Sequence, residues 1–155
     1  MFRYLLSAVL IFVAASCQKA VSVHSVSKDD LQISINTACG WCAPGDSMTI
    51  TKTSTAYKYY PSSCSKEGKP ISKATGQADW DDLLQLLDLE KFHSINLNEC
   101  NICVDGCDEW ITIQQGDYKH TIRYGGKENE KLKEIKLFIE KLHAIRAAMK
   151  VQVVK

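Results

Sequence analysis

The stretch Glu109-Trp-Ile-Thr-Ile-Gln-Gln-Gly-Asp-Tyr-Lys-His-Thr-Ile-Arg-Tyr124 decides the fold. On either side of Gly116-Asp117, apolar and polar residues alternate with period two, the mark of strands with one buried face. The Gly-Asp pair suits a two-residue hairpin loop of the II′ type, which takes glycine at its first position. That register pairs Ile113 with His120 and Ile111 with Ile122 on the inner face, and Trp110 with Arg123 on the outer. Stacking of the guanidinium on the indole there contributes about 0.5 to 1 kcal/mol. His120, turned inward beside isoleucine and tyrosine, is expected to be a core histidine bonded to backbone or tyrosine.

C-terminal to this hairpin, Gly125-Gly126 ends the strand and residues 128–150 read as one long helix. Leu132, Ile135, Ile139, Leu142 and Met149 form its apolar stripe, widened by Phe138 and Ile145. Residues 151–155 read as a last short strand or a frayed end. N-terminal to the hairpin, Asp79 to Asp88 reads as a helix with Trp80, Leu83, Leu84 and Leu87 on one face. Asp79, Asp81 and Asp82 mark its start, where the helix dipole favours negative charge, rather than a metal or acid/base site.

Pro61 to Gly76 is a polar loop holding Cys64, with a short edge strand near Ile71. Met48 to Tyr60, rich in Thr, Tyr and Ile, reads as a further hairpin. A turn at Thr53-Ser54 sets Met48 against Tyr59 and Ile50 against Tyr57. Leu31-Gln-Ile-Ser-Ile-Asn36 alternates as a strand. The fold class is therefore α+β: an antiparallel sheet built from an N-terminal strand and two hairpins, with two helices packed on one face. Residues 29–155 form a single α+β domain.

Ahead of the domain, Arg3 carries the only charge before an apolar run from Leu5 to Ala15. Eleven residues of helix reach about 16 Å, roughly half a bilayer core, so the run suits a signal peptide better than a membrane span. It closes on Val13-Ala14-Ala15-Ser16-Cys17, which resembles the lipobox of bacterial lipoproteins, with Ala14 where that family usually has leucine. The resemblance implies cleavage before Cys17 (residues 1–16 being the signal peptide), a diacylglycerol on the Cys17 sulfur and acylation, such as palmitate, on the freed amine. Ala14-x-Ser16 also suits the ordinary secretory peptidase, the alternative being simple export. Two or three acyl chains at about 0.8 kcal/mol per methylene make such attachment effectively permanent. Residues 17–28 then comprise the lipidated cysteine and a flexible tether spanning about 20 Å. His24 lies in it as an exposed linker histidine.

Without Arg3, the 19 basic residues of the chain fall to 18, matched by 18 acidic ones. This balance gives no electrostatic footprint for nucleic acid or for an anionic membrane surface. The expected contact with the membrane is through the lipid anchor alone.

Seven cysteines are an odd number; lipid on Cys17 leaves six: Cys39, Cys42, Cys64, Cys100, Cys103 and Cys107. The first reading is structural disulfides in an oxidising compartment, with fifteen possible pairings and no means of choosing among them. The second is a zinc-type metal site on Cys39, Cys42, Cys100 and Cys103, because the two-residue gap of CxxC lets both thiolates reach one tetrahedral ion. The third is thiol-disulfide exchange at Cys39-Gly-Trp-Cys42, although no helix is expected to follow it and lower a thiol pKa. Asn96-x-Asn98 and Asp105-Gly106 lack the spacing of a calcium loop, and no nucleophile elbow, phosphate loop or HExxH occurs.

The CxxC loop ahead of a hairpin, the Trp-led helix and the C-terminal amphipathic helix together resemble small lipoprotein domains of bacterial envelopes, over most of residues 31–149. Those domains have no established activity, so the resemblance carries no site residues. The expectation is a non-enzymatic interaction or structural module, lipid-anchored outside the cytoplasm at the outer membrane. Its partner is an unknown envelope protein or ligand, and it needs no cofactor, zinc being the alternative; the alternative function is a metal-binding (zinc-type) or thiol-redox lipoprotein using the two CxxC elements.

Overall fold

The computed structural model describes residues 30–65, 67–125 and 129–154. The signal peptide, Cys17, the tether with His24, Gly126 and Glu128 lie outside them.

Six strands form one antiparallel sheet in the order β4-β3-β2-β1-β5-β6. They are β1 (Leu31–Cys39), β2 (Gly45–Ile50), β3 (Ser54–Tyr60), β4 (Lys69–Ala74), β5 (Cys107–Gln115) and β6 (Tyr118–Gly125). The helices are α1 (Gln77–Leu86), α2 (Leu89–Ser94) and α3 (Lys136–Val153), with 3₁₀ segments at Ile102–Val104 and Glu130–Ile135. The N-terminal strand is central, with one hairpin on each side, and the α+β architecture is as the alternation predicts.

The hairpin β5-β6 has the expected register throughout. Gly116 adopts φ 57°, the left-handed value a II′ loop demands of its first residue. Arg123 stacks 5.0 Å from the centroid of the Trp110 ring. His120 meets the carbonyl of Ile95 through Nε2 at 2.9 Å and the edge of Phe92 at 5.5 Å.

The hairpin β2-β3 differs from expectation by two residues: Met48 faces Tyr57 and Ile50 faces Thr55. The connection is Lys52-Thr53, closed by the Ser54 amide donating to the Thr51 hydroxyl at 3.1 Å. A slip of two leaves the same faces inside, so the alternation is equally satisfied by both registers. The observed one sets the Tyr57 hydroxyl against Asp46 at 3.1 Å.

The helical segments also shift. The first helix ends at Leu86, and Asp88, expected inside it, caps α2 by accepting the Lys91 amide at 3.1 Å. The long helix expected over 128–150 begins instead as the 3₁₀ segment, capped by Asn129, and bends at Ile135. The bend lets Leu132 and Ile135 both reach the core. At its other end α3 runs on through Val153, which is buried four residues after Met149, so the tail is helix and not strand.

The core lies between one face of the sheet and the helices: Ile33, Ile35, Met48, Ile50, Ile111, Ile113 and Ile122 against Trp80, Leu83, Phe92, Phe138, Leu142 and Met149. Asp79 and Asp82 pair with Lys141 at 3.0 and 2.7 Å, so these carboxylates fasten α1 to α3. The opposite face is polar, with Ser34 bonded to Thr49 and Thr112 to Thr121. Among the described residues no helix is long and apolar enough to cross a membrane.

Candidate interaction site

All six domain cysteines meet at one end of the sheet as three disulfides: Cys39–Cys107, Cys42–Cys64 and Cys100–Cys103. The first joins residues directly opposite in the β1-β5 register. The second ties the loop after β1 to the loop after β3, 22 residues away. In the chain-entropy picture, bridges over such spans contribute about 3 to 4 kcal/mol each, whereas a ring of four residues contributes about 2.

The four sulfurs considered for zinc are thus divided among three bridges. Cys39 and Cys42, considered as an exchanging pair, are joined to different partners and not to each other. The physical reason is register: β1 lies against β5, so Cys39 finds Cys107 across the ladder before its chain neighbour.

Between the Cys39 and Cys42 bridges stands Trp41, 84% exposed. Trp41 and Cys42 hold φ near 55° and Asp105 holds φ 62°, the non-glycine residues of left-handed backbone among those described. That conformation costs an ordinary L-residue of order 1 kcal/mol, so it persists only where the surroundings enforce it. Here the enforcement is covalent, helped by the Ser63 hydroxyl donating to the Cys39 carbonyl at 2.8 Å and the Ser63 amide donating to that of Ala43 at 2.9 Å. Val104, 78% exposed, belongs to the neighbouring loop, which is linked by the Gly40 amide donating to the Gly106 carbonyl at 2.9 Å.

The neighbouring loop, residues 100–107, is held mainly by Asp108. Its buried carboxylate accepts the amides of Asn101 and Ile102 at 2.8 and 3.2 Å, the Asn101 side chain at 3.1 Å, and both Nε and Nη2 of Arg123. Burial raises the Asp108 carboxyl, but these donors outweigh it and hold it below the usual carboxylate range. Gly106 approaches so closely that an added Cβ would lie 2.8 Å from the Asn101 oxygen. Leu97 and Glu99 bond to the backbone of Arg123 along the edge of β6, which delivers Cys100 beside the Arg123 side chain.

On the inner face, a cleft of about 580 Å³ opens between Glu109, Tyr124 and α3, with Leu132, Ile139, His143 and Arg146 in its walls. Glu109 accepts from the Tyr124 hydroxyl, from Arg146 Nη1 at 2.7 Å and meets His143 Nε2 at 2.7 Å. Burial raises the Glu109 carboxyl, yet the His143 hydrogen bond and the Arg146 charge hold it below the usual range. Burial, then the charge of Glu109, push the Tyr124 phenol upward. Both Glu109 oxygens are engaged, so this cluster ties α3 to β5.

No sequence motif marks this network, although Glu109 shares the inward parity of Ile111 and Ile113. A charge at such a position implies a buried partner. No protein-family model and no curated protein sequence matches the chain.

Proposed function

We propose that the chain is a lipid-anchored protein of the bacterial envelope, cut before Cys17, and that its domain is a non-enzymatic interaction module for an envelope partner. The observation that carries this reading is Trp41, almost fully exposed and fixed in left-handed backbone between two disulfides. A tryptophan ordered before binding loses little freedom when it docks, and tryptophan, with tyrosine and arginine, is enriched among residues that dominate binding energy.

The position of the loop fits an anchored module. β1 carries the chain about 26 Å from Leu31 to Cys39, so Trp41 stands at the end of the sheet away from Leu31.

Two measurements test the reading. The mass of the N-terminal peptide from the envelope fraction should carry two or three acyl chains on Cys17; an unmodified thiol overturns the anchor. A photo-crosslinking amino acid at position 41, compared in intact cells with one at exposed Leu137 on α3, should give an adduct from position 41 alone. Equal adducts from both positions, or none, overturn the role of Trp41.

A further inference from the structure

The bridge Cys100–Cys103 differs from the other two in what it connects and in what surrounds it. It closes a Cys-Asn-Ile-Cys ring with a sequence separation of 3, whereas its neighbours span 68 and 22. Its loop is already fixed without it: Asp108 gathers Asn101 and Ile102, and Asn101 accepts the amides of Val104 and Gly106 at 3.0 and 2.7 Å. Cys103 is exposed, and half-buried Cys100 receives a hydrogen bond from Arg123 Nη2 at 2.9 Å. Arg123 is in turn anchored by Asp108 and by the Trp110 ring, so it stays in place whether or not the sulfurs are joined.

From this arrangement we infer that Cys100–Cys103 is a thiol-disulfide exchange site that accepts two electrons from a dithiol. The donor's thiolate attacks the exposed Cys103 sulfur. A bond forms between them, the Cys100–Cys103 bond breaks, and Cys100 leaves as a thiolate facing the Arg123 Nη2 hydrogen. The donor's second thiolate then attacks its own bridged sulfur and releases Cys103. The donor ends as a disulfide, the pair ends as a dithiol, and the donor's two protons pass to the released sulfurs or to water. A leaving thiol of lowered pKa departs faster, which is the part Arg123 plays as a positioning residue. Its charge is shared with Asp108, so the directed N–H is what favours the thiolate. This inference does not depend on Trp41 or on lipidation.

The test equilibrates the complete chain with graded dithiothreitol, followed by alkylation and mass mapping of each cysteine. Cys100 and Cys103 should become labelled at reductant concentrations at least tenfold below those that open the other bridges, with the far-ultraviolet dichroism unchanged. Opening of all three together, or of Cys100–Cys103 last, overturns the proposal. In the variant Cys103→Ser the lone Cys100 thiol should show a pH profile of alkylation with its midpoint below the ordinary value of about 8.5. Adding Arg123→Gln should return that midpoint toward the ordinary value and slow alkylation at neutral pH about tenfold. A midpoint at or above 8.5 in the single variant, or no change with Arg123→Gln, also overturns it.

Discussion

The two loops that share one end of the sheet are held by opposite means. Residues 40–44 have few internal polar bonds and take their shape from Cys39–Cys107 and Cys42–Cys64, which reach to distant parts of the chain. Residues 100–106 take theirs from one buried carboxylate, Asp108, and carry a bridge that spans only their own first turn. The covalent loop holds two successive left-handed residues, Trp41 and Cys42, and an exposed indole with little polar support beyond the two Ser63 hydrogen bonds, whereas the polar loop holds one, Asp105. The hydrogen bonds that shape the polar loop do not involve Cys100 or Cys103, so joining or parting those two sulfurs leaves the bonds in place.

The largest effect expected from this difference is in the bridges themselves. Cys39→Ser with Cys107→Ser should lower unfolding stability by about 4 kcal/mol, measured by urea titration, whereas Cys100→Ser with Cys103→Ser should cost at most about 2. Equal losses from the two pairs would break the distinction.

The converse substitution strikes the polar loop. Asp108→Ala leaves the Arg123 charge and the amides of Asn101 and Ile102 without their acceptor, and should cost about 3 kcal/mol. Proteolysis should then cut first within residues 100–107. Cleavage first at Trp41 would show that the covalent loop depends on the polar one.

Much of this frame is legible in the sequence, and its failures have identifiable causes. Gly116-Asp117 marks its turn chemically, so the β5-β6 register follows from residues alone. Lys52-Thr53 carries no such mark, and a slip of two satisfies the same alternation, so the β2-β3 register is set by tertiary contacts such as Tyr57 with Asp46. The disulfide pairing depends on β1 lying beside β5, a contact between segments some 70 residues apart that no local pattern encodes. Arg146 sits one residue past Ile145 at the edge of the α3 stripe, and only the fold shows that it reaches Glu109, Thr37 and Asp46. Nothing in the local pattern around Trp41 tells an inward from an outward indole, and its exposure is seen only in the fold, between the two bridges that flank it.

Acid separates the two kinds of brace, because it discharges carboxylates and leaves disulfides intact. Asp108 and Glu109 are held below their ordinary values of 3.8 and 4.5, so the unfolded chain takes up their protons first as pH falls. Their stabilisation is complete above those ordinary values and is lost as pH falls through the depressed folded ones. His93, lowered by burial and by His120 from 6.5, acts the same way at higher pH: its neutral form suits the fold, and stability begins to fall below about pH 6.5. A urea titration series should therefore show a shallow decline in stability below about pH 6.5 and a steeper one below about pH 4. Stability that is flat from pH 7 to 3 would show that Asp108 does not brace its loop and that Glu109 does not brace the contact of α3 with β5.

The smallest effect should have the opposite sign. Trp41 buries little, so Trp41→Ala removes almost no packing but keeps an L-residue at φ 55° and should change stability by less than about 0.5 kcal/mol. Trp41→Gly also removes the left-handed penalty, of order 1 kcal/mol, against a larger entropy loss from the unfolded chain of about 0.5. The glycine variant should therefore be more stable than the alanine variant by about 0.5 kcal/mol, and as stable as the parent or more so. If the indole is retained for docking, both variants lose the partner adduct formed by a photo-crosslinking amino acid at exposed Val104 in the neighbouring loop, although neither is destabilised. A glycine variant less stable than alanine would mean that the bridges impose no strain at Trp41, and the covalent loop would then be no more forced than the polar one.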